Sequence, residues 1–189
     1  MQLTDHWFSS PIQLSPIRLA RSDLACTVFI CSSVFILTIL FLLQFAYSEE
    51  TYDPSVDALA EIKSAIVIAK ETDKHVFVKV GGNWCGWCKL YAKFTKADED
   101  IMRVMKDEYV FILVNWSTEN KNPDAMAYLG NPQRFGFPVF VIIDGDGNVL
   151  HIQDSALLEQ GKGYNKKHIM RFLSVWTTDA VDPNRVSAE

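Results

Sequence analysis

The 189-residue chain carries 18 basic and 23 acidic side chains and has a net charge of −5 at neutral pH. Because this balance is mildly acidic and no basic cluster stands out, nucleic acid is not expected as a partner. Its four cysteines are too few for a secreted scaffold held together by several disulfides. Two of them, Cys26 and Cys31, fall in an apolar stretch and are expected to be inert there.

The first element in chain order is an uncharged run of 24 residues at positions 24–47. As a helix it would extend about 36 Å, enough to cross a hydrocarbon core of roughly 30 Å. It lacks the amphipathic face of a buried core helix, which is the alternative. Arg18 and Arg21 precede the run, and acidic residues follow it. This asymmetry predicts that residues 1–23 stay in the cytoplasm and that the C-terminal part is exported.

The sequence leaves open whether this segment is retained or removed. Ala46, Tyr47 and Ser48 form a small-x-small pattern that suits cleavage after Ser48. The apolar run is longer than a usual signal core of about 7–15 residues, which favours retention. Residues 24–48 are therefore interpreted as a transmembrane anchor or a signal peptide. The rest divides into a linker at 49–55, one domain at 56–178 and a C-terminal tail at 179–189.

The domain alternates helical and extended patterns. The spacing of apolar residues predicts helices over residues 56–73, 85–94, 99–106, 124–128 and 166–176. Apolar runs and a tight turn at 144–148 predict strands over residues 75–80, 109–114, 139–143 and 149–153. Because the run 109–114 is apolar throughout, it is expected to be a central strand. This order predicts an α/β fold, a mixed central sheet with helices on both faces.

The most informative residues are Cys85 and Cys88, which lie three positions apart between a strand and a helix. Cys85 is expected at the helix N-terminus as the exposed sulfur, and Cys88 one turn further in as the buried one. Free backbone N–H groups and the helix dipole favour a thiolate there. A thiolate attacks disulfides, and a second thiol three residues on can release the mixed disulfide. The spacing therefore predicts a redox dithiol, in which Cys85 attacks and Cys88 resolves.

Metal and haem binding are the chemical alternatives for this pair. A structural zinc site needs four ligands, and His75, His151 and His168 form no second close-spaced pair. Covalent haem needs a histidine directly after the second cysteine, where Lys89 stands. The loop 144–148 starts like a calcium loop, but it lacks the required glycine and closing glutamate and is interpreted as a turn. No metal and no organic cofactor is expected, because the dithiol itself carries two electrons.

A second motif completes a resemblance to a known family. The segment Gly136-Phe137-Pro138-Val139-Phe140 opens a strand, and the cysteines lie in Trp84-Cys85-Gly86-Trp87-Cys88-Lys89. The two motifs together resemble the thioredoxin superfamily, and in particular its exported bacterial thiol–disulfide interchange members, over residues 56–176.

The resemblance implies a thioredoxin-like fold, protein thiols and disulfides as substrates, and a membrane electron donor as a partner. It also implies that the peptide before Pro138 is cis; a trans proline at the start of an edge strand is the alternative. The backbone groups of Phe137 would then pair with an extended substrate segment.

Two tryptophans, Trp84 and Trp87, flank the cysteines. Ordinary packing is one reading, but an exposed indole beside a reactive sulfur favours a docking surface for an unfolded or partner chain. Trp87 also lacks the charge that a histidine would bring, so the couple is expected to be less oxidising, which favours a reductase. The predicted substrate groove consists of Trp84, Gly86, Trp87, Phe137 and Pro138.

Lys79 departs from the family pattern. Six residues before the first cysteine, thioredoxin-like chains often carry a buried aspartate that helps to deprotonate the second cysteine. A neutral buried Lys79 could accept the Cys88 proton, and a charged one would favour the Cys88 thiolate. A side chain that reaches the surface would do neither, and this is the outcome we expect in so apolar a strand.

The whole pattern predicts a thiol–disulfide oxidoreductase, acting as a reductase in the periplasm or another extracytoplasmic compartment. Residues 24–47 are expected to tether it to the cytoplasmic membrane. A non-catalytic thioredoxin-fold module that binds a peptide or a partner protein is one alternative. An oxidant or isomerase is another, which differs only in redox potential.

Overall fold

The computed structural model describes residues 51–186 of the chain. The predicted cytoplasmic segment, the anchor or signal segment with Cys26 and Cys31, and the start of the linker lie outside the described residues. Within positions 51–186, no helix combines the length and the apolar composition needed to cross a membrane.

Four strands form one mixed sheet. They are β1 (His75–Gly81), β2 (Tyr109–Asn115), β3 (Val139–Ile143) and β4 (Val149–Asp154). The spatial order is β2-β1-β3-β4, with β1 parallel to β2 and antiparallel to β3, and β3 antiparallel to β4. The predicted mixed sheet is confirmed.

The prediction of a central position for residues 109–114 was wrong, because β2 is an edge strand. Its apolar composition has another cause. A helix covers each face of β2: Ala58–Thr72 (α1) on one side and Glu99–Glu108 (α3) on the other. An apolar run therefore reports that both faces of a strand are covered, and it does not report whether both edges are paired.

The helices follow the predicted spacing, and side chains fix where they begin. The Asp57 carboxylate caps α1 by accepting hydrogen bonds from the backbone N–H groups of Leu59 and Ala60. Asp73, in the left-handed conformation, is the C-cap of the helix. The remaining longer helices are α2 (Gly86–Lys96), α4 (Pro123–Tyr128) and α5 (Lys166–Ser174).

Two buried cores lie on opposite faces of the sheet. Val76, Val78 and Val80 of β1 belong to the core beneath α1 and α4. Phe77, between them, belongs to the core beneath α2, α3 and α5. Because side chains alternate along a strand, Lys79 and Gly81 share the face of Phe77, the face that α2 covers. Helices on both faces of the sheet are thereby confirmed.

Several short elements were not predicted. They are two 3₁₀ turns (Pro132–Phe135 and Ser155–Leu158), a two-stranded hairpin of β5 (Glu159–Gln160) and β6 (Gly163–Tyr164), and the helices α6 (Thr178–Val181) and α7 (Pro183–Val186). The hairpin matters for the site, because Tyr164 packs against the start of α2.

Three chain segments meet at one end of the sheet. The parallel strands β1 and β2 both end there, at Gly81 and Asn115, and the antiparallel β3 begins there at Val139. The cysteine loop, the loop after β2 and the loop that carries Pro138 are therefore neighbours.

Candidate active site

The two cysteines open α2 as predicted. Cys85 has an extended backbone and is the N-cap of the helix, and its sulfur accepts a hydrogen bond from the backbone N–H of Cys88 at 3.0 Å. The two residues form a disulfide with their Cα atoms 5.2 Å apart. An N-cap sulfur lies at the positive end of the helix dipole, where a thiolate is favoured after reduction.

Both cysteines are buried in this oxidised form. Cys85 is 4% exposed and Cys88 is 1% exposed, so Cys85 is the less buried sulfur but is not exposed. The reason is a small cluster in which both cysteines pack with Tyr52, Leu113 and Phe137. A substrate disulfide must therefore approach Cys85 through the space beside these side chains.

Gly81 brings the end of β1 close to Cys88. A Cβ atom built on Gly81 would lie 2.6 Å from Cys88 Sγ and 2.8 Å from the hydroxyl oxygen of Tyr52. Real Cβ atoms do not approach other heavy atoms this closely, so only glycine fits without a shift. The absent side chain lets the sulfur pack directly against the strand.

Lys79 is buried on the face of the sheet that α2 covers, and the expectation that its head reaches the surface was wrong. The residue is 1% exposed. Its Nζ lies 5.4 Å from the ring centroid of Tyr91 and 5.7 Å from that of Tyr52. The amino group faces α2 and finds aromatic rings within cation–π distance, so it need not extend to water.

The loop before β3 lies against the cysteines. The peptide between Phe137 and Pro138 is cis, as the resemblance implied. Val139, the next residue, pairs with Val80 of β1, which places Pro138 beside the end of the strand that leads to the dithiol. Phe137 packs against the buried cysteine cluster.

An aromatic ledge, formed by Trp84, Trp116 and Phe137, adjoins the cysteines. Trp84 is 56% exposed, and its ring meets that of Phe137 at 5.4 Å in an edge-to-face arrangement. Trp84 Nε1 donates to the Trp116 carbonyl at 2.9 Å, and the rings of Trp116 and Phe137 are 4.8 Å apart. The ledge presents apolar surface beside the disulfide.

Trp116 was missed in the sequence analysis, although a signal existed. It follows β2 directly, and its backbone N–H donates to the Gly81 carbonyl at 2.6 Å. Because β1 and β2 were both recognised as strands, parallel pairing alone would have placed the residue after β2 next to the cysteine loop.

Trp87, between the cysteines, is 37% exposed and leans on the β5–β6 hairpin. Its ring meets Tyr164 edge-to-face at 5.6 Å, and the Tyr164 hydroxyl donates to the Trp87 carbonyl at 3.4 Å. Burial raises the pKa of Tyr164 well above its ordinary value. The hydroxyl therefore keeps its proton at neutral pH and remains a donor that supports the loop between the cysteines.

Tyr52 joins the site from the segment predicted as a linker, and the sequence analysis missed it. Its backbone N–H donates to Asn83 Oδ1 at 2.9 Å, and Asn83 Nδ2 donates to its carbonyl at 2.8 Å. These two bonds fix the segment to the turn that precedes Cys85. A single tyrosine in a polar stretch gives no periodic signal, so nothing in the pattern indicated its burial.

Two of the three histidines considered as metal ligands have other contacts. His75 Nδ1 lies 2.7 Å from the Trp176 carbonyl, and the ring of His151 stacks on that of Trp176 at 4.6 Å. Across residues 51–186, no group of three or more His, Cys, Asp or Glu side chains converges as a metal site would require.

Comparisons with known sequences and structures indicate which fold this domain has. The thioredoxin-like sequence family matches residues 57–145. The disulphide isomerase from Xylella fastidiosa Temecula1 superposes with a TM-score of 0.59 at 21% identity, covering 67% of this chain and 97% of that one. The domain therefore has a thioredoxin-like fold, and residues 57–145 match the thioredoxin-like family. With the Cys85–Cys88 disulfide in that domain, it is a thiol–disulfide oxidoreductase.

Two further solved structures are more distant. The oxidised C-terminal domain of Neisseria meningitidis DsbD has a TM-score of 0.44 at 20% identity, over 66% of this chain and 97% of that one. A thioredoxin from Thermus thermophilus has a TM-score of 0.45 at 15% identity, over 67% and 86% respectively. No curated protein sequence matches the chain.

Proposed function

We propose that this oxidoreductase reduces protein disulfides outside the cytoplasm. The observation that carries the proposal is the position of the Cys85–Cys88 disulfide, at the start of α2 and beside Pro138 and the aromatic ledge. A dithiol with a neighbouring apolar surface can receive an extended protein segment and exchange electrons with its disulfide.

The reaction begins with the reduced enzyme. The Cys85 thiolate attacks one sulfur of the substrate disulfide, and the other substrate sulfur leaves as a thiolate with the bonding electron pair. Cys88, as a thiolate, then attacks Cys85 Sγ, so that the mixed disulfide breaks and the second substrate sulfur leaves. The substrate gains two electrons, and the enzyme ends with the disulfide seen in this structure.

The predicted groove residues orient the substrate in this proposal. Phe137 lies beside the cysteines, and its backbone groups directly precede Pro138 and the start of β3 at Val139. An extended substrate strand can pair with them. Trp84 and Trp87 offer exposed ring surface on the two sides of Cys85, and Gly86 leaves the space between them open, since no heavy atom lies within 4 Å of its Cβ position.

The direction of electron flow rests on the charge around Cys85. The position before Cys88 could hold a charged side chain such as histidine, but here it holds Trp87, which is uncharged. The thiolate is then stabilised mainly by the helix N-terminus, and a less stabilised thiolate makes a more reducing couple.

Lys79 is proposed to assist Cys88. Its side chain lies on the face of β1 that α2 covers, between the rings of Tyr52 and Tyr91. A buried ammonium near Cys88 favours the thiolate needed for resolution. Replacing Lys79 with Met should slow resolution about three- to tenfold and leave the attack by Cys85 unchanged. Lys89→Met is the matched control, because it removes an exposed lysine directly after Cys88.

The proposed location is supported by the sequence alone. Residues 24–47 and the preceding arginines favour export with a retained tether. A reductase in an oxidising compartment must itself be reduced again, and the family resemblance implies a membrane electron donor for this step. Fractionation with N-terminal sequencing tests this. A mature protein that starts at Glu49 in the soluble exported fraction would remove the tether, and recovery from the cytosol would overturn the location altogether.

Insulin reduction by the purified full-length chain in detergent, with dithiothreitol as electron source, tests the activity. Wild type should accelerate the precipitation of insulin chains, and the Cys85→Ser variant should not. Equal precipitation curves for wild type and Cys85→Ser would support the peptide-binding module instead. Equilibration with glutathione then fixes the direction: a potential near about −270 mV supports a reductase, and one near about −120 mV supports an oxidant.

A further inference from the structure

The segment before α1 brings one side chain into the buried space behind the disulfide. Tyr52 is 3% exposed and belongs to the same small cluster as Cys85 and Cys88. The double hydrogen bond between Asn83 and the Tyr52 backbone holds this residue against the turn before Cys85. The position of the tyrosine ring is therefore tied to that of the dithiol.

The Tyr52 hydroxyl is close to the resolving sulfur. Both the hydroxyl oxygen and Cys88 Sγ lie within 3 Å of one point, the Cβ position that Gly81 leaves empty. A side chain at position 81 would occupy the space between them. Because residue 81 is a glycine, it places no side chain between the Tyr52 hydroxyl and Cys88 Sγ.

The other ionisable groups around this gap come from the strand and the helix. Lys79 enters from β1, with Nζ 5.7 Å from the Tyr52 ring, and Tyr91 enters from α2, one helical turn after Cys88. A cation near the face of a phenol ring draws electron density from it, which makes its hydroxyl a better hydrogen-bond donor.

We propose that Tyr52 is a positioning residue for the resolving step. Its hydroxyl donates a hydrogen bond to the Cys88 thiolate and holds that sulfur towards Cys85. The inference rests on the proposed exchange reaction and adds a residue to it. In the step itself the Cys88–Cys85 bond forms, the Cys85–substrate bond breaks, and the electron pair leaves on the substrate sulfur. The proton released from Cys88 is taken up from solvent by that leaving thiolate.

The size of the effect follows from hydrogen bonding to a charged sulfur. Such a bond changes the thiolate population by about tenfold or more. The loss is partly offset, because a thiolate that is less stabilised is more nucleophilic, with a Brønsted coefficient of about 0.4–0.5. Tyr52→Phe should therefore slow resolution about three- to tenfold. It keeps the ring and its packing, so the site geometry is retained.

The rate of resolution is measured on the full-length reduced protein in detergent, with 5,5′-dithiobis-(2-nitrobenzoate) as the probe. Attack by Cys85 releases one thionitrobenzoate, and resolution by Cys88 releases a second, so stopped-flow absorbance separates the two steps. In Tyr52→Phe the first phase should keep its wild-type rate and the second should slow. Tyr109→Phe is the control, because it removes another buried hydroxyl, which donates to the Leu173 carbonyl at a distance from the dithiol.

A second readout reports ionisation directly. In a Cys85→Ala background, the rate of iodoacetamide labelling at Cys88 is followed by peptide mass mapping against pH, which separates it from Cys26 and Cys31. Tyr52→Phe should move the midpoint of this profile upward by about one pH unit, and Tyr109→Phe should not move it.

An unchanged second phase together with an unchanged midpoint would overturn the role of Tyr52. If the second phase slowed equally in Tyr52→Phe and Tyr109→Phe, the slowing would be a general effect on stability, and the role of Tyr52 would also be overturned. A wild type that resolves the probe but does not reduce insulin would contradict the proposed reductase function, and it would leave the assignment of Tyr52 standing.

Discussion

The packing of Gly81 against Cys88 gives a quantitative prediction for stability. In Gly81→Ala the new methyl carbon would lie 2.6 Å from Cys88 Sγ, 2.8 Å from the Tyr52 hydroxyl and 3.2 Å from its ring. The sulfur cannot turn away in the oxidised protein, because the disulfide holds it. The tyrosine is buried and tied at its backbone to Asn83. The substitution must therefore displace packed atoms.

The magnitude follows from two opposing effects. Overpacking a core by one methyl costs about 1–3 kcal/mol. Replacing a strand glycine restricts the unfolded chain and returns about 0.5–1 kcal/mol. The net loss in the free energy of unfolding is then about 1–2 kcal/mol. For a domain of this size the Tm of the oxidised protein should fall by about 3–8 °C.

The loss in the free energy of unfolding caused by Gly81→Ala should be smaller after reduction, because Cys88 Sγ can then rotate away from position 81. For each 1 kcal/mol by which the substitution destabilises the oxidised form more than the reduced form, the reduction potential rises by about 20 mV. Gly81→Ala should therefore make the couple more oxidising.

Calorimetry of both redox forms and equilibration with glutathione measure these effects. Gly86→Ala is the matched control, because no heavy atom lies within 4 Å of its Cβ position. A helical alanine there should leave the Tm unchanged or raise it. An oxidised Gly81→Ala protein as stable as wild type would refute the reasoning, because it would mean that the site accommodates a methyl without displacing Cys88 or Tyr52.

Two further predictions concern the mechanism and the pH dependence of stability. Cys88→Ala should trap a mixed disulfide between Cys85 and a substrate protein, visible as a band on non-reducing gels, because attack survives and resolution is lost; a folded variant that traps nothing would favour the binding module. Lys166 Nζ lies 2.8 Å from Asp98 Oδ2 and 2.7 Å from Asp100 Oδ2. Its hydrogen bonds lower the pKa of both carboxyls below the ordinary 3.8. Because the folded-state pKa is lowered, the stabilisation is present above pH 3.8 and is lost as the pH falls through the folded values. Lys166→Met should therefore have a slightly lower Tm than wild type at pH 7, and this difference in Tm should disappear in acid. A Tm difference that does not change with pH would contradict its assignment to the Lys166 ion pairs.

The parts of the fold that were predictable have strong local signals. Residues 139–143 are apolar throughout, and residues 76–80 are apolar except for Lys79; both runs are rich in β-branched side chains and both are central strands. The N-cap position of Cys85 followed from the strand-to-helix change at the motif. Each of these features depends on neighbours in the sequence, so the pattern contains it.

The parts that were not predictable depend on distant residues. Lys79 looked able to reach water, but Tyr52 and Tyr91, from two other segments, surround its amino group. Tyr52 reaches the site through Asn83. Trp116 differs from these residues, because the pairing of β1 with β2 would have indicated its position. None of these contacts has a periodic signature, because each joins segments that are far apart along the chain.

The pairing of Val80 with Val139 also determines where the domain can be modified. One inserted residue at the end of β1 would shift this register and turn the side chains before the dithiol to the wrong face. The turn 144–148 lies at the opposite end of the same two strands. There Lys70 and Asp146 form an ion pair whose side chains are 69% and 72% exposed, so its loss costs little. This turn is the position for an epitope tag or a fluorophore that leaves the redox end of the sheet untouched.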